Sequence, residues 1–274
     1  MVLDADEFVY IDNLKETRKQ LKDQNVNYDA FDVKIFNFTG DQGQFTIQNC
    51  HTRIYKNLPE IKYYRAIHEQ IYKNGEPLDA GLSCLILYHS GYLTYTVHEK
   101  NKRARNKELI DKEIKSNGQS GFDYFNLANE FSSAGNYELA LENYIKAFNN
   151  KPAFAYSWVS YSVVQMINCL IRLKRFTDGL NVINDAKQLY SESPDFQTLK
   201  ARIYLLQGRI EDAEEVLIKL INHTKQYKQT ITSPDYLEFF PYKWIGIIYE
   251  EKHDVKKRFT IIAKLLNIML MMMN

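Results

Sequence analysis

Apolar and polar residues alternate along several short segments in the first third of the chain. Residues 31–38 and 52–56 alternate with a period of two, which predicts strands with one buried face. Residues 82–88 are mostly apolar and predict a buried strand. Residues 12–24 follow a period of 3.6 after Asp12, a residue suited to cap a helix. The first 96 residues are therefore predicted to form a mixed α and β domain.

Two carboxylates follow an apolar pair at the start of the chain. Val2 and Leu3 precede Asp4, Ala5 and Asp6, a pattern that predicts the end of a strand. On such a strand the two aspartates share one face, and paired carboxylates suit a hard divalent cation that keeps positions open for phosphate oxygens. The same short pattern also occurs in solvated turns, so an ordinary surface turn is the alternative.

Strand signals end after the first domain, and charged residues take over. Residues 100–115 predict an amphipathic helix in which a basic cluster precedes acidic residues. We interpret the cluster as a solvated helix face, with contact to phosphate groups as the alternative. Residues 116–121 contain turn-forming residues and predict a linker. The predicted divisions are residues 1–96, a connecting helix and linker at 97–120, and residues 121–274.

A period close to 34 residues governs the remainder of the chain. Ala140, Gly179 and Ala213 occupy equivalent positions 39 and 34 residues apart, and 34 is the tetratricopeptide period. Small residues at such positions let two antiparallel helices approach closely, while aromatic residues fill the space to the next pair. The first repeat carries the pattern most completely, at Tyr124, Leu127, Ala128, Phe131, Gly135, Tyr137, Ala140, Tyr144, Ala147 and Pro152.

The pattern predicts an all-α tetratricopeptide solenoid of about four repeats. An insertion of five residues near 156–162 precedes the second repeat, and the fourth repeat opens at Tyr242 with a second helix degraded after His253. Solenoids of this kind bind peptides or proteins along one face, so a binding scaffold is one predicted function. The repeats also offer surfaces for self-association into a homo-oligomer.

Composition narrows the functional classes. The formal net charge is +1, so neither nucleic-acid binding nor an acidic substrate is predicted. The three cysteines are odd in number and widely spaced, which favours reduced thiols and a cytoplasmic protein. No apolar stretch reaches the roughly 18 residues that span a bilayer, so no transmembrane segment is predicted.

Four short motifs follow one another in a fixed order in the first domain. They are Val2-Leu3-Asp4-Ala5-Asp6-Glu7, Arg53-Ile54-Tyr55-Lys56-Asn57 with Pro59-Glu60-Ile61, Arg65 with Ile67-His68-Glu69-Gln70-Ile71, and Tyr88-His89 with Gly91-Tyr92. In this order, and with the repeats behind them, the chain resembles bacterial family 2 glycosyltransferases of the GT-A type with a tetratricopeptide tail. The peptide S-glycosyltransferases that modify bacteriocins share this layout.

The resemblance implies a metal site in a partial GT-A domain. Asp4 and Asp6 match the Asp-x-Asp element of the family, where Mn²⁺ or Mg²⁺ bridges the protein and the diphosphate of a nucleotide sugar, here expected to be a UDP-sugar. His89 matches a histidine near that metal and diphosphate. The metal neutralises charge on the departing diphosphate.

The resemblance also implies the remaining catalytic roles. Glu69 matches the acidic general base, which removes the acceptor proton, and His68 is the rival base. A single base without a covalent step implies inversion at the sugar carbon. Arg65 and Arg53 are expected to steady the diphosphate. The implied acceptor is a peptide, a protein or a glycan.

The family places a nucleotide-binding half before the Asp-x-Asp strand, whereas here Met1 lies almost at the motif. We therefore expect a truncated gene, a truncated chain or a misassigned start. The predicted function is the C-terminal portion of a metal-dependent, inverting glycosyltransferase that is inactive without the missing half. The alternative is a tetratricopeptide scaffold that binds a protein or peptide and performs no catalysis.

Overall fold

The computed structural model describes residues 1–9, 11–23, 28–43, 45–64, 70–78, 80–93, 120–154, 156–191, 193–227 and 230–273. The chain forms two compact units, an N-terminal unit of Met1–Gln119 and a C-terminal unit of Ser120–Asn274. The helix predicted at residues 100–115 lies outside the described residues. Among the helices in the described ranges, none combines the length and the apolarity that a bilayer crossing requires.

A mixed four-stranded sheet is the larger of two sheets in the described part of the N-terminal unit. In chain order the elements are β1 (Glu7–Phe8), α1 (Ile11–Lys22), β2 (Ala30–Gly40), β3 (Phe45–Tyr55), β4 (Ile61–Tyr64), β5 (Gln70–Lys73), β6 (Glu76–Pro77) and β7 (Ala80–Leu93). The sheet has the order β1-β7-β2-β3, in which β2 and β7 are parallel and the other neighbours antiparallel. A second, antiparallel sheet has the order β4-β5-β6.

The core of this unit lies on one face of the larger sheet. Val33 and Ile35 of β2 and Leu85 and Leu87 of β7 are buried together, with Leu14 of α1 packed against them. Strands β2, β3 and β7 contain the segments whose patterns predict strands. The opposite side of β7 exposes Leu82 and Cys84, so this strand is buried on one face only.

A side chain of α1 pairs with the open edge of β7. Gln20 Nε2 donates to the Leu82 carbonyl at 2.9 Å, and the Cys84 backbone N–H donates to Gln20 Oε1 at 3.0 Å. The amide thereby replaces one residue of a neighbouring strand. Because an unpaired edge can recruit another chain, this contact protects part of the sheet.

Four antiparallel helix pairs make up most of what is described of the C-terminal unit. The pairs are α2 (Gly121–Ser133) with α3 (Tyr137–Asn149), α4 (Ser157–Arg172) with α5 (Phe176–Leu189), α6 (Asp195–Leu206) with α7 (Ile210–Asn222), and α9 (Phe240–Glu251) with α10 (Val255–Met273). A 3₁₀ turn (Thr224–Gln226) and the short helix α8 (Asp235–Glu238) lie between α7 and α9. The residues predicted to allow close helix contact are fully buried at Ala128, Ala140 and Ala213.

The same turn joins the two helices of every pair. Its middle residue has positive φ: Gly135 at 80°, Lys174 at 58°, Gly208 at 72° and His253 at 55°. The next residue donates its backbone N–H to a carbonyl five residues earlier, at 2.8 to 2.9 Å in all four turns. This is the Schellman arrangement, in which a left-handed residue ends the helix and satisfies its last carbonyl groups. The same turn therefore forms at Lys174 and His253, where the glycine of the repeat consensus is absent.

The fourth pair retains a complete second helix. The sequence matches the repeat consensus poorly after His253. Nevertheless α10 has 19 residues and continues to Met273. Ile261 of α10 is buried against α9 residues such as Tyr249, and Leu265 packs on the same cluster. Aliphatic side chains at a helical spacing therefore maintain this helix without the consensus. The predicted insertion corresponds to a longer α4, which has 16 residues where α6 has 12.

Candidate functional site

Asp4 lies in a turn and pairs with an arginine. The backbone N–H of Glu7 donates to the Asp4 carbonyl at 3.1 Å, which closes a turn before the first strand residue. The prediction that Asp4 and Asp6 share one face of a strand is therefore wrong, because this turn interrupts the extended backbone. Arg53 Nη2 donates to Asp4 Oδ2 at 2.7 Å and to Glu7 Oε1 at 2.5 Å.

The positive charge of Arg53 is neutralised by carboxylates of the N-terminal unit. Burial acts to lower the pKa of the Arg53 guanidinium, but the hydrogen bond to Asp4 and the charges of Glu7 and Asp4 together raise it. The Glu7 side chain is only 2% exposed, so Arg53 compensates its lost hydration. The family resemblance implies a diphosphate as the partner of Arg53, whereas its described side-chain partners are these two carboxylates.

Asp6 contacts His89. His89 Nε2 lies 3.3 Å from Asp6 Oδ1, and His89 Nδ1 lies 2.8 Å from Asn37 Oδ1. Asn37 Nδ2 in turn donates to Asn49 Oδ1 at 2.9 Å. Gly91 permits this approach, because a Cβ atom there would overlap both the Asp6 and His89 side chains. The structure therefore unites two of the three predicted metal ligands and gives Asp4 a different partner.

The predicted catalytic residues Glu69 and His68, and the predicted diphosphate ligand Arg65, lie outside the described residues. Within the described ranges, no group of three or more His, Cys, Asp and Glu side chains is arranged to hold a metal ion. The roles assigned to Mn²⁺ or Mg²⁺ and to a nucleotide sugar stay predictions.

The C-terminal unit contains a cavity of about 280 Å³ between the helices of successive repeats. Its lining comes from α2, α3, α4 and α6. Asn168 and Arg172 lie one turn apart on α4, and Arg202 reaches the same cavity from α6. The full lining is Ser132, Tyr137, Gln165, Asn168, Cys169, Arg172 and Arg202.

Two guanidinium groups give this cavity a positive character. Arg202 Nη1 donates to Asn168 Oδ1 at 3.3 Å, and the Arg172 guanidinium lies 5.8 Å from the centre of the Tyr137 ring. Burial lowers the pKa of Arg202. The electrostatic interaction with Tyr236 acts to raise this pKa, and the like charge of Arg172 acts to lower it further. Neither arginine forms an ion pair with a carboxylate in the described part of the chain. The two guanidinium groups therefore bring two positive charges to one cavity.

The cavity lacks the chemistry of a catalytic thiol. Cys169 lines it, and burial raises the pKa of the Cys169 thiol to about 11. The thiol consequently stays protonated near neutral pH, whereas nucleophilic cysteines are thiolates. Cys169 is therefore unsuited to act as a nucleophile.

The segment before α9 folds back onto the helices that form the cavity. Tyr236 of α8 hydrogen-bonds Asn168 through its side chain, and its backbone carbonyl accepts from Thr198 Oγ1 at 2.5 Å. Ile231 and Tyr236 pack against the apolar core formed by α4, α5 and α6. The segment of residues 230–239 therefore contributes no lining residue but contacts Asn168, which lines the cavity.

A buried carboxylate fixes this segment. Asp195, the first residue of α6, is fully buried. It accepts hydrogen bonds from the backbone N–H groups of Ile231 and Thr232 and from the hydroxyls of Thr232 and Ser193, at 2.7 to 3.0 Å. Burial raises the pKa of Asp195, although all four of these hydrogen bonds act to lower it.

Sequence reasoning missed Arg172, Arg202 and Asp195. The two arginines are 30 positions apart and belong to different repeats, so only the stacking of α4 on α6 reveals them as neighbours. For Asp195 the sequence did contain an indication. An aspartate directly after Ser193-Pro194 is typical of the first turn of a helix.

Residues 124–154 match the tetratricopeptide repeat family. No curated protein sequence matches the chain. Among solved structures, MamA from Desulfovibrio magneticus is similar, with 11% identity over 64% of this chain and 89% of that chain, at a TM-score of 0.48. A tetratricopeptide repeat protein from Parabacteroides merdae has 12% identity over 63% of this chain and 61% of its own, at 0.48.

A third similar structure is YrrB, described as a tetratricopeptide protein with an unusual peptide-binding site. It has 13% identity over 64% of this chain and 81% of its own, at a TM-score of 0.42. The family match covers the first helix pair, and the helix pairs and turns of the other repeats follow the same plan. The protein thus consists of an N-terminal mixed sheet followed by a helical region of the tetratricopeptide type.

Proposed function

We propose that this protein is a binding scaffold whose helical repeats hold a carboxylate-bearing segment of a partner protein. The observation that carries the proposal is the pair Arg172 and Arg202, which face one cavity without a carboxylate partner in the described residues. Helical repeats of this type use their grooves to bind peptides or proteins.

The energetics favour an anionic occupant. A partly buried guanidinium loses hydration, and the lowered pKa of Arg202 reflects that cost. A carboxylate would restore the lost interactions through paired N–H···O bonds, for which the planar guanidinium is well suited. Asn168 links Arg202 to Tyr236, so the Arg202 side chain is held in position before the partner arrives.

The size of the cavity favours a side chain over a cofactor. Its volume of about 280 Å³ lies just below the roughly 300–1,000 Å³ range of small-molecule sites. One acidic side chain or a terminal carboxylate fits this space, and the remainder of the peptide would lie along α4 and α6.

Two peptide pools that differ only in charge test the proposal. One pool carries Asp and Glu at varied positions, and the matched pool carries Asn and Gln at the same positions. We expect the full chain to bind members of the acidic pool in a fluorescence polarisation assay and to ignore the neutral pool. Equal binding of both pools, or of neither, would contradict the proposal.

Glycosyl transfer, which the sequence analysis gives as the predicted function, is the second candidate. The contact between Asp6 and His89 at 3.3 Å is the observation in its favour. The pairing of Asp4 with Arg53 is an observation against it, because it neutralises one of the two carboxylates assigned to the metal. This function stays a prediction, and a metal titration described below tests it.

A further inference from the structure

The stripe of α4 side chains that lines the cavity continues beyond it. Gln165, Asn168 and Arg172 line the cavity at spacings of three and four residues, which places them on one side of the helix. Tyr161 lies four residues before Gln165 and extends the same stripe by one helical turn. The half-buried Tyr161 ring therefore shares a helix face with the cavity arginine Arg172.

The neighbouring helix α2 carries a matching stripe. Ser132 lines the cavity, and Asn129 and Phe125 lie three and seven residues before it on the same side of α2. The half-buried Phe125 ring meets the Tyr161 ring edge to face, with the ring centroids 5.9 Å apart. The two stripes therefore run from a cationic end at the cavity to an aromatic end at Phe125 and Tyr161.

Two amide side chains lie between these ends. Asn129 Oδ1 accepts a hydrogen bond from the Tyr144 hydroxyl at 2.6 Å, and Asn129 Nδ2 has no partner among the described residues. Within the same ranges the Gln165 amide forms no hydrogen bond. Amide groups suit the backbone of an extended peptide, whose N–H and C=O groups seek partners outside the peptide. A helical peptide would satisfy those groups internally, so the amides favour an extended one.

We propose that the aromatic end is a second subsite, which takes a large apolar side chain of the same partner segment whose carboxylate enters the cavity. This inference rests on the proposed function and adds a second anchor to it. Continuity with the cavity identifies the occupant, because an extended segment held at Arg172 and following α4 towards its N-terminus reaches Tyr161.

The helix geometry sets the spacing of the two anchors. Tyr161 and Arg172 are 11 residues apart in sequence, which corresponds to about 16 Å along α4. An extended peptide advances about 3.3 Å per residue. The partner segment should therefore carry an aromatic or large aliphatic residue about five positions from its acidic residue.

A spacing series in one host peptide tests the proposal. Each peptide consists of Gly, Ser and Thr and carries one Glu and one Phe, separated by about two to about nine positions in either order. Matched peptides replace Phe with Ala or Glu with Gln. We expect calorimetric titration into the full chain to show the highest affinity at a separation of about five. That affinity should exceed the affinity of the matched Ala peptide about tenfold, because the Phe ring is then buried.

Variants of the aromatic end locate the effect. Tyr161→Ala should abolish the advantage of the Phe peptide over the Ala peptide, whereas Tyr161→Phe should retain it because the ring remains. The control is Phe154→Ala, since Phe154 lies between α3 and α4, is 49% exposed and does not belong to either stripe. It should bind both peptides like the wild type. Circular dichroism verifies that the variants are folded.

The outcomes separate this inference from the proposed function. A Phe advantage that is absent, that does not vary with separation or that Tyr161→Ala leaves intact would overturn the second subsite, while binding that depends on Glu would still support the cavity. Equal affinity of the Glu and Gln peptides would overturn the proposed function, and the two-anchor spacing with it. Failure of every peptide to bind would overturn both.

Discussion

The Asp195 carboxylate accepts a hydrogen bond from the backbone N–H of Thr232 at 3.0 Å, across 37 residues of sequence. Through this bond and two others, the start of α6 holds the segment that leads to α8. That segment places Tyr236 beside Asn168 and Arg202. The geometry of the cavity therefore depends on a carboxylate that does not line it.

Replacing Asp195 with alanine should destabilise the C-terminal unit by about 2–4 kcal/mol, because buried donors on Ser193, Ile231 and Thr232 lose their acceptor. Urea unfolding of the full chain, followed by circular dichroism, measures the change. The control is Asp185→Ala, at an exposed position on α5, which should stay within about 0.5 kcal/mol of the wild type. Equal effects of the two substitutions would refute the role of Asp195.

The raised pKa of Asp195 predicts a specific pH dependence. Burial makes ionisation harder in the folded state than in the unfolded state, where the pKa of an aspartate is about 3.9. Its contribution to stability is therefore complete below that value and is lost as pH rises through the folded-state pKa. The free energy of unfolding of the wild type should fall with rising pH relative to Asp195→Asn. A difference that does not vary with pH, or that rises, contradicts this assignment.

Two helix-pair turns have a residue other than glycine at the positive-φ position, and a substitution to glycine there should stabilise the protein. Lys174 and His253 have φ of 58° and 55°, a conformation that costs a residue with a Cβ atom about 1 kcal/mol. We expect Lys174→Gly and His253→Gly to stabilise by up to that amount in urea unfolding. The reverse changes, Gly135→Ala and Gly208→Ala, should destabilise by about 1 kcal/mol through conformation alone, because a Cβ atom meets nothing within 4 Å at either position. Glycine variants that are less stable than the wild type would contradict this account.

Titration of the chain with MnCl₂ and UDP-glucose tests the predicted glycosyltransferase site. We expect no saturable heat of binding, since Arg53 neutralises Asp4 and Asp6 contacts His89. The wild type and Asp6→Ala should therefore give the same calorimetric trace. Saturable binding in the wild type that Asp6→Ala removes would support the metal role instead.

The sequence predicted the repeats well because their packing is local. Ala128 and Ala140 are fully buried where the consensus requires small residues, and most helix contacts join helices adjacent in the chain. The turn at Asp4 was predicted only as the alternative to a strand end. A short strand end and a turn have the same polar pattern, and the Glu7 hydrogen bond decides between them. Arg172 and Arg202 meet only after α4 and α6 stack, so no spacing rule within one repeat identifies them.

The most direct test of the central claim is calorimetric titration of an acidic peptide, selected from the pools above, into the full chain and two variants. Arg202→Gln removes a cavity guanidinium, whereas Arg175→Gln removes an exposed one that pairs with Asp178. Loss of a charge-assisted hydrogen bond costs about 1.5–3 kcal/mol, so Arg202→Gln should weaken binding about 10- to 100-fold. Arg175→Gln should bind as the wild type does. Unchanged affinity in Arg202→Gln would contradict the assignment of this cavity as the binding site.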